Sequence, residues 1–149
     1  MKTNLQAFLD TLAWSEGTDN GKQKTNDRGY DVLVGGGLFH TYTDHPRKSV
    51  RLNRTLWSTA AGRYQILARY YDSYKRTLGL KDFSPASQDA IAIQMIREQK
   101  ALADIEAGRF DVAVVKCNNI WASLPGNSYG QFMHPLEALR KVYKEKLKG

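Results

Sequence analysis

Leu5, Phe8, Leu9, Leu12 and Ala13 recur at the spacing of one helical face, and the next position on that stripe is a carboxylate, Glu16. Gly17 ends the run, so the opening helix, over about 3–16, must bury an apolar face whose last turn carries an acid. Such an acid lies near the negative end of the helix dipole and partly out of water. Both effects raise its pKa, which is how a general acid is prepared. The ordinary alternative is a helix-terminal Glu that turns to solvent or pairs with an Arg. Against it stand the tight polar loop Gly17-Thr18-Asp19-Asn20-Gly21 and the adjacent Trp14, which together suit the edge of a cleft.

After this helix comes a long polar, glycine-rich stretch. Val32, Val34, Phe39 and Tyr42 are spaced like strand residues around Gly35-Gly36-Gly37, which predicts a small hairpin or irregular β lobe. Beyond about residue 58 the pattern is helical. Ser58 or Thr59 is expected to start a helix carrying Tyr64, Leu67, Tyr71 and Leu78, stopped by Gly79. Ser84-Pro85 opens the next, with Ile91, Met95 and Ile96 inward, and a short turn around Leu102 and Ile105 ends at Gly108. Asp111 is expected to cap a helix bearing Val115, Ile120, Trp121 and Leu124, broken by Pro125-Gly126, and Pro135 opens a basic terminal helix. The expected fold class is therefore α+β, mainly helical, one domain over 1–149, with a substrate cleft between a helical body and a small β lobe. Glu16 is expected at their junction.

With 149 residues, 42% of them hydrophobic, the chain can bury a real core. Its apolar runs are too short to span a bilayer, and no charged start followed by an apolar core marks an export signal. A cytoplasmic location at synthesis and no stable membrane insertion are expected. The single Cys117 excludes an internal disulfide and fits a small core position, while His40, His45 and His134 lack metal-ligand spacing. No metal or cofactor is expected. A net charge of +7 favours a polyanionic partner such as nucleic acid, anionic lipid or the acidic bacterial wall. The basic residues, notably over 47–54 and 141–148, are not interleaved with aromatics in a nucleic-acid motif, so a main role on nucleic acid is set aside.

Three further places could carry chemistry. In Ala61-Gly62-Arg63-Tyr64-Gln65, the glycine lets a ligand approach the backbone, and Tyr64 with Gln65 offers an aromatic face and an amide to a sugar. The competing assignment is a helix start with a core tyrosine. Tyr129, in a glycine-flanked loop, could stack on sugar or simply pack. Trp57 and Trp121 are expected in the core, Trp57 being the nearer to a cleft. A raised-pKa carboxylate at a cleft suits glycosidic cleavage, in which the leaving oxygen takes a proton as positive charge develops on the sugar. A hydrolase needs a second carboxylate, for which Asp19, Asp27 and Asp31 are the nearby candidates.

The stretches 12–21 (LAWSEGTDNG), 29–32 (GYDV), 44–48 (DHPRK), 61–65 (AGRYQ), 78–85 (LGLKDFSP) and 119–126 (NIWASLPG) resemble, in order, the lambdoid phage endolysins. The likeness runs from about residue 5 to about 132. It implies a lysozyme-like fold and a lytic transglycosylase that cuts peptidoglycan between N-acetylmuramic acid and N-acetylglucosamine, forming a 1,6-anhydro ring. Glu16 matches the catalytic acid of that family. Gly62 and Gln65 match the Gly-x-x-Gln element associated with the sugar site in the wider lytic transglycosylases; Tyr64, Tyr129 and Asp31, placed by position and chemistry, are further substrate-binding candidates. The common inverting phage lysozymes place an Asp where this chain has Thr25 and a Thr where it has Asp31, so their hydrolytic pattern is not met. The wider transglycosylases place a Ser after the catalytic Glu, whereas here Ser15 precedes it and Gly17 follows. The implied partner is the peptidoglycan glycan strand, acted on by a monomer that waits in the host cytoplasm until a holin opens the membrane. A hydrolytic lysozyme of the same fold and a non-enzymatic wall-binding protein are the alternatives.

Overall fold

Helix α1 (Asn4–Ser15) begins in a capping box: the Gln6 amide donates to the Thr3 hydroxyl at 3.1 Å, and the Thr3 amide donates to the Gln6 side-chain oxygen at 2.9 Å. It ends as the spacing predicts, with Glu16 as the C-cap residue and its amide donating to the Leu12 carbonyl at 2.8 Å. Ala7, Phe8, Leu9, Leu12 and Ala13 are all buried. Each large side chain among them contributes about 2 kcal/mol by leaving water.

A computed structural model describes residues 1–127 and 132–149, which form two compact units: Met1–Glu16 with Ala92–Gly149, and Gly17–Ile91. In the first unit, α1 packs against α4 (Leu102–Glu106) and α6 (Leu136–Leu147), and α5 (Phe110–Cys117) packs against both of those helices. Phe8 meets Phe110 edge-on at 5.9 Å, and Phe110 stacks on Tyr143 at 4.4 Å. Cys117 is buried and unpaired, and burial pushes its thiol up to about 12. That is the small core residue expected from the sequence.

The second unit holds the only two-stranded ladder among the described residues, β1 (Val50–Arg51) antiparallel to β2 (Trp57–Ser58), followed by α2 (Ala68–Leu78). Its core is aromatic, with Tyr30, Phe39, Tyr64, Tyr71 and Phe83 buried beside Val32, Ile66 and Ile91. Helix α3 (Pro85–Glu98) starts here, where the Ser84 hydroxyl accepts from the Ser87 amide, and runs on into the first unit.

Four expectations about elements need correction. The strand-like residues around Gly35-Gly36-Gly37 make only an isolated bridge, Val32 to Leu38, because Gly35 and Gly36 take positive φ and break the extended run. The ladder forms at 50–58 instead, closed by Asn53, whose side-chain oxygen accepts from the amides of Thr55 and Leu56. The helix expected from Ser58 or Thr59 starts at Ala68. Residues 61–66 turn back as Ala61 and Ile66 exchange backbone hydrogen bonds, while the Thr59 hydroxyl still caps from a distance by accepting from the Ala68 amide at 3.0 Å. Asp111 lies inside the first turn of α5, paired with Arg140, rather than capping it, and that helix stops at Cys117. Trp121 and Leu124 are buried beyond its end. Trp57, expected in the core, is 57% exposed with the Arg51 guanidinium over its ring.

Candidate active site

The sequence places an acid at the end of a buried helical face, and the structure keeps it there. Glu16 is partly buried. One of its oxygens, Oε2, accepts a hydrogen bond from the Ser123 hydroxyl at 2.5 Å. Burial raises the Glu16 pKa from 4.5 to about 7, and the Ser123 bond, which favours the carboxylate, pulls the other way without overcoming it. Desolvation wins, and the group holds a proton close to neutral pH. Among the described residues no cation pairs with Glu16. The alternative of a helix-terminal Glu neutralised by an Arg is thereby removed.

The elements around Ser123 fix this pair. Ser15, buried on α1, lies 2.7 Å from the Ser123 hydroxyl. The His134 amide donates to the Ser123 carbonyl at 2.9 Å, and His134 Nε2 donates to the Ser15 carbonyl at 3.1 Å, so one residue ties both serines. The His134 ring rests against Trp14, with centroids 4.8 Å apart.

The Gly-x-x-Gln element of the second unit is a braced turn. Gly62 has φ +82°, and a Cβ there would lie 2.3 Å from Oε1 of Gln88. Gln88 is fully buried with its amide fully used: it accepts from the Arg63 amide at 2.9 Å and donates to the carbonyls of Tyr30 and Phe83. Arg63, also buried, donates to the Arg28 carbonyl and to Asp19. Tyr64 is 1% exposed, and its hydroxyl donates to Asp89 at 2.6 Å, beside that of Tyr30 at 2.8 Å. The Tyr64 ring therefore has no open face for a sugar. It is the core tyrosine that was the competing assignment.

Gln65 differs from its neighbours in this turn. It takes φ +54°, remains partly exposed, and donates its amide nitrogen to the carbonyls of Gly62 at 2.9 Å and Val32 at 3.3 Å. Its amide oxygen has no partner among the described residues and is oriented by those two bonds to accept one. Gly62 thus serves the packing that holds Gln65, in place of the open backbone approach expected for it.

All three candidate aspartates hold protein groups. Asp31 is 5% exposed and accepts from the Thr25 hydroxyl at 2.5 Å and the Asn26 amide at 3.0 Å. Asp27 accepts from the Tyr42 hydroxyl at 2.7 Å, and Asp19 pairs with Arg63 at 3.1 Å. Tyr129 lies outside the described residues. Ser123, Arg63 and Gln88 were not singled out from the sequence. Ser123 is distant in sequence from Glu16 and sits in an irregular segment, so no periodicity links the two.

Among the described residues, no cluster of three His, Cys, Asp or Glu side chains could hold a metal ion, and no helix is long and apolar enough to cross a membrane.

A family model described as endolysin matches residues 6–148. The endolysin of Escherichia phage lambda is 61% identical over 140 residues, covering 94% of this chain and 89% of that protein. The endolysin of Escherichia phage P2 is 51% identical over 151 residues, covering 95% and 91%. Among solved structures, a bacteriophage lambda lysozyme complexed with a chitohexasaccharide superposes with a TM-score of 0.95 at 58% identity, covering 98% of this chain and 95% of that one. A second lysozyme structure from bacteriophage lambda gives 0.91 at 57% identity, with the same coverage. The mainly helical α+β fold is thus lysozyme-like, as the resemblance implies.

Proposed function

The chain belongs to the endolysin family, and from that premise we propose that it is a lytic transglycosylase, cleaving the β-1,4 bond between N-acetylmuramic acid and N-acetylglucosamine in peptidoglycan. The observation that carries the proposal is Glu16: an acid protonated near pH 7, held by one hydroxyl, while Asp19, Asp27 and Asp31 are spent on protein contacts. That arrangement suits a reaction with one carboxyl group and no activated water.

Protonated Glu16 donates to the bridging oxygen as the bond to the muramic acid anomeric carbon breaks. The resulting carboxylate then takes the proton of the muramic acid 6-hydroxyl, whose oxygen closes on the same anomeric carbon to give the 1,6-anhydro ring. The proton count on Glu16 is restored. Because the nucleophile is tethered to its target, its entropic cost is small beside that of recruiting water, so a second carboxylate is dispensable. The oriented oxygen of Gln65 accepts from a sugar acetamido N–H or hydroxyl. Gly62, Tyr64 and Asp31 support the substrate site by fixing its loops, and Tyr129 offers an aromatic face to the glycan. The chitohexasaccharide bound by the similar lysozyme supports a glycan ligand of this class.

The net charge of +7 favours encounter with the anionic wall. The site of action is the wall, reached from the host cytoplasm once a holin-type partner opens the membrane. The test is Glu16→Gln on purified peptidoglycan. A folded variant that no longer releases fragments supports the proposal, and a folded, active one overturns it.

A further inference from the structure

Each hydroxyl has one proton to give, and that limit sets the direction of the Ser15–Ser123–Glu16 chain. The Ser123 hydroxyl spends its proton on Oε2 of Glu16 and is left to accept from Ser15. Ser15 is 5% exposed, and among the described residues its hydroxyl has no partner besides Ser123. Reversing the chain would require Oε2 to carry a proton and Ser15 to turn its own hydroxyl away into the interior without an acceptor among the described residues, which is costly for a buried donor. His134 stops the pair from drifting apart, since its amide holds the Ser123 carbonyl and its ring holds the Ser15 carbonyl. Oε1 of Glu16 has no protein partner among the described residues.

We infer that Ser123, backed by Ser15, is a positioning residue that reserves Oε2 of Glu16, so that the catalytic proton is both given and taken at Oε1. The inference rests on the proposal that Glu16 is the acid. In the first half of the reaction the proton leaves Oε1 for the bridging oxygen. In the second it arrives at Oε1 from the muramic acid 6-hydroxyl. Ser123 donates to Oε2 throughout, so the carboxyl group does not need to rotate between the two transfers. Among the described residues, no charged side chain other than Glu16 takes part in this arrangement, and the titratable ring bonded to the serine pair is His134, which reaches it through carbonyl oxygens.

The experiment compares Ser123→Ala, Ser123→Thr, Ser15→Ala and Glu16→Gln as full-length proteins. It uses purified peptidoglycan for kinetics across pH, and carbon-13 side-chain carboxyl NMR to titrate Glu16 directly. Ser123→Ala is expected to move both the Glu16 titration and the alkaline fall in kcat upward by roughly one pH unit, because a bond to the charged form is lost. On the acid side of that limb kcat should drop about twofold with KM little changed, since the proton then divides between two oxygens. Ser123→Thr, which keeps the hydroxyl, should restore most of the loss. Ser15→Ala should lower kcat in the same way by a smaller factor.

A folded Ser123→Ala with unmoved titration and unmoved kcat overturns the positioning role. If Glu16→Gln is inactive in the same series, the assignment of the acid survives that result; an active Glu16→Gln removes both. Should Ser123→Ala fail to fold, Ser15→Ala decides, and an unchanged kcat and pH profile there overturns the inference.

Discussion

Replacing Glu16 by Gln should cost the protein its activity and make it more stable at alkaline pH. Burial raises the folded-state pKa of Glu16 from 4.5 to about 7, so between those values the native state holds a proton that the unfolded chain has released. Stability must therefore fall as pH rises through this window, and above pH 7 the native state carries a poorly solvated carboxylate. At about 1.4 kcal/mol per pH unit, that amounts to about 3 kcal/mol. Gln is neutral at every pH, and its amide oxygen can still accept from Ser123. Near pH 4, where Glu16 is largely protonated folded or unfolded, the two proteins should differ little. At pH 8.5 the variant should gain about 3 kcal/mol. For a chain of this size that is a shift of roughly 1.5–2 M in the midpoint of urea unfolding. Urea titrations followed by circular dichroism at the two pH values measure it. A stability difference that is the same at both would refute the reasoning, because Glu16 would then ionise like an ordinary surface carboxylate.

Gly62→Ala should destabilise the protein by about 2–4 kcal/mol, since the added Cβ meets Gln88 at 2.3 Å and the backbone sits at positive φ; thermal unfolding checks this, and an unchanged melting temperature would show that the turn can relax. His45 is buried with Nδ1 accepting from the Arg47 amide and Nε2 donating to the Ile66 carbonyl, and burial holds its pKa below 6.5. The unfolded chain then takes up a proton that the native state refuses, so this residue's contribution to stability is complete above about pH 6.5 and declines below it, by at most about 1.4 kcal/mol per pH unit. The stability difference between wild type and His45→Gln should shrink accordingly from pH 7.5 to 5.5; a pH-independent difference would contradict it. Wall binding by the Glu16→Gln variant should weaken as added salt shortens the Debye length from roughly 10 Å to 3 Å, and pelleting with purified walls would expose a salt-insensitive mode if charge is not used.

What the sequence makes legible is local. The stripe from Leu5 to Ala13 delimits α1 and strands Glu16 on its last turn, and Gly79 and Ser84-Pro85 mark helix ends where the structure has them. Periodicity misleads where a turn intervenes: Tyr64 and Leu67 fall on a helical stripe, yet Gly62 and Gln65 at positive φ fold 61–66 back on itself. The ladder at 50–58 escapes notice because its residues are mostly exposed, with the one turn signal in Asn53. Glu16 is found from its neighbours in sequence. Its partner Ser123 is found only in the folded chain, because a hydrogen bond between distant segments leaves no periodic trace in either.

Digestion of purified peptidoglycan in heavy-oxygen water, followed by mass spectrometry of the released fragments, tests the chemistry most directly. If the muramic acid 6-hydroxyl closes the ring, the main products are 1,6-anhydromuropeptides, one water lighter than hydrolysis products. They carry no solvent oxygen at the cleaved anomeric carbon and are inert to borohydride. Labelled, borohydride-reducible ends as the main product would contradict the account and return a water-activating role to Asp19, Asp27 or Asp31.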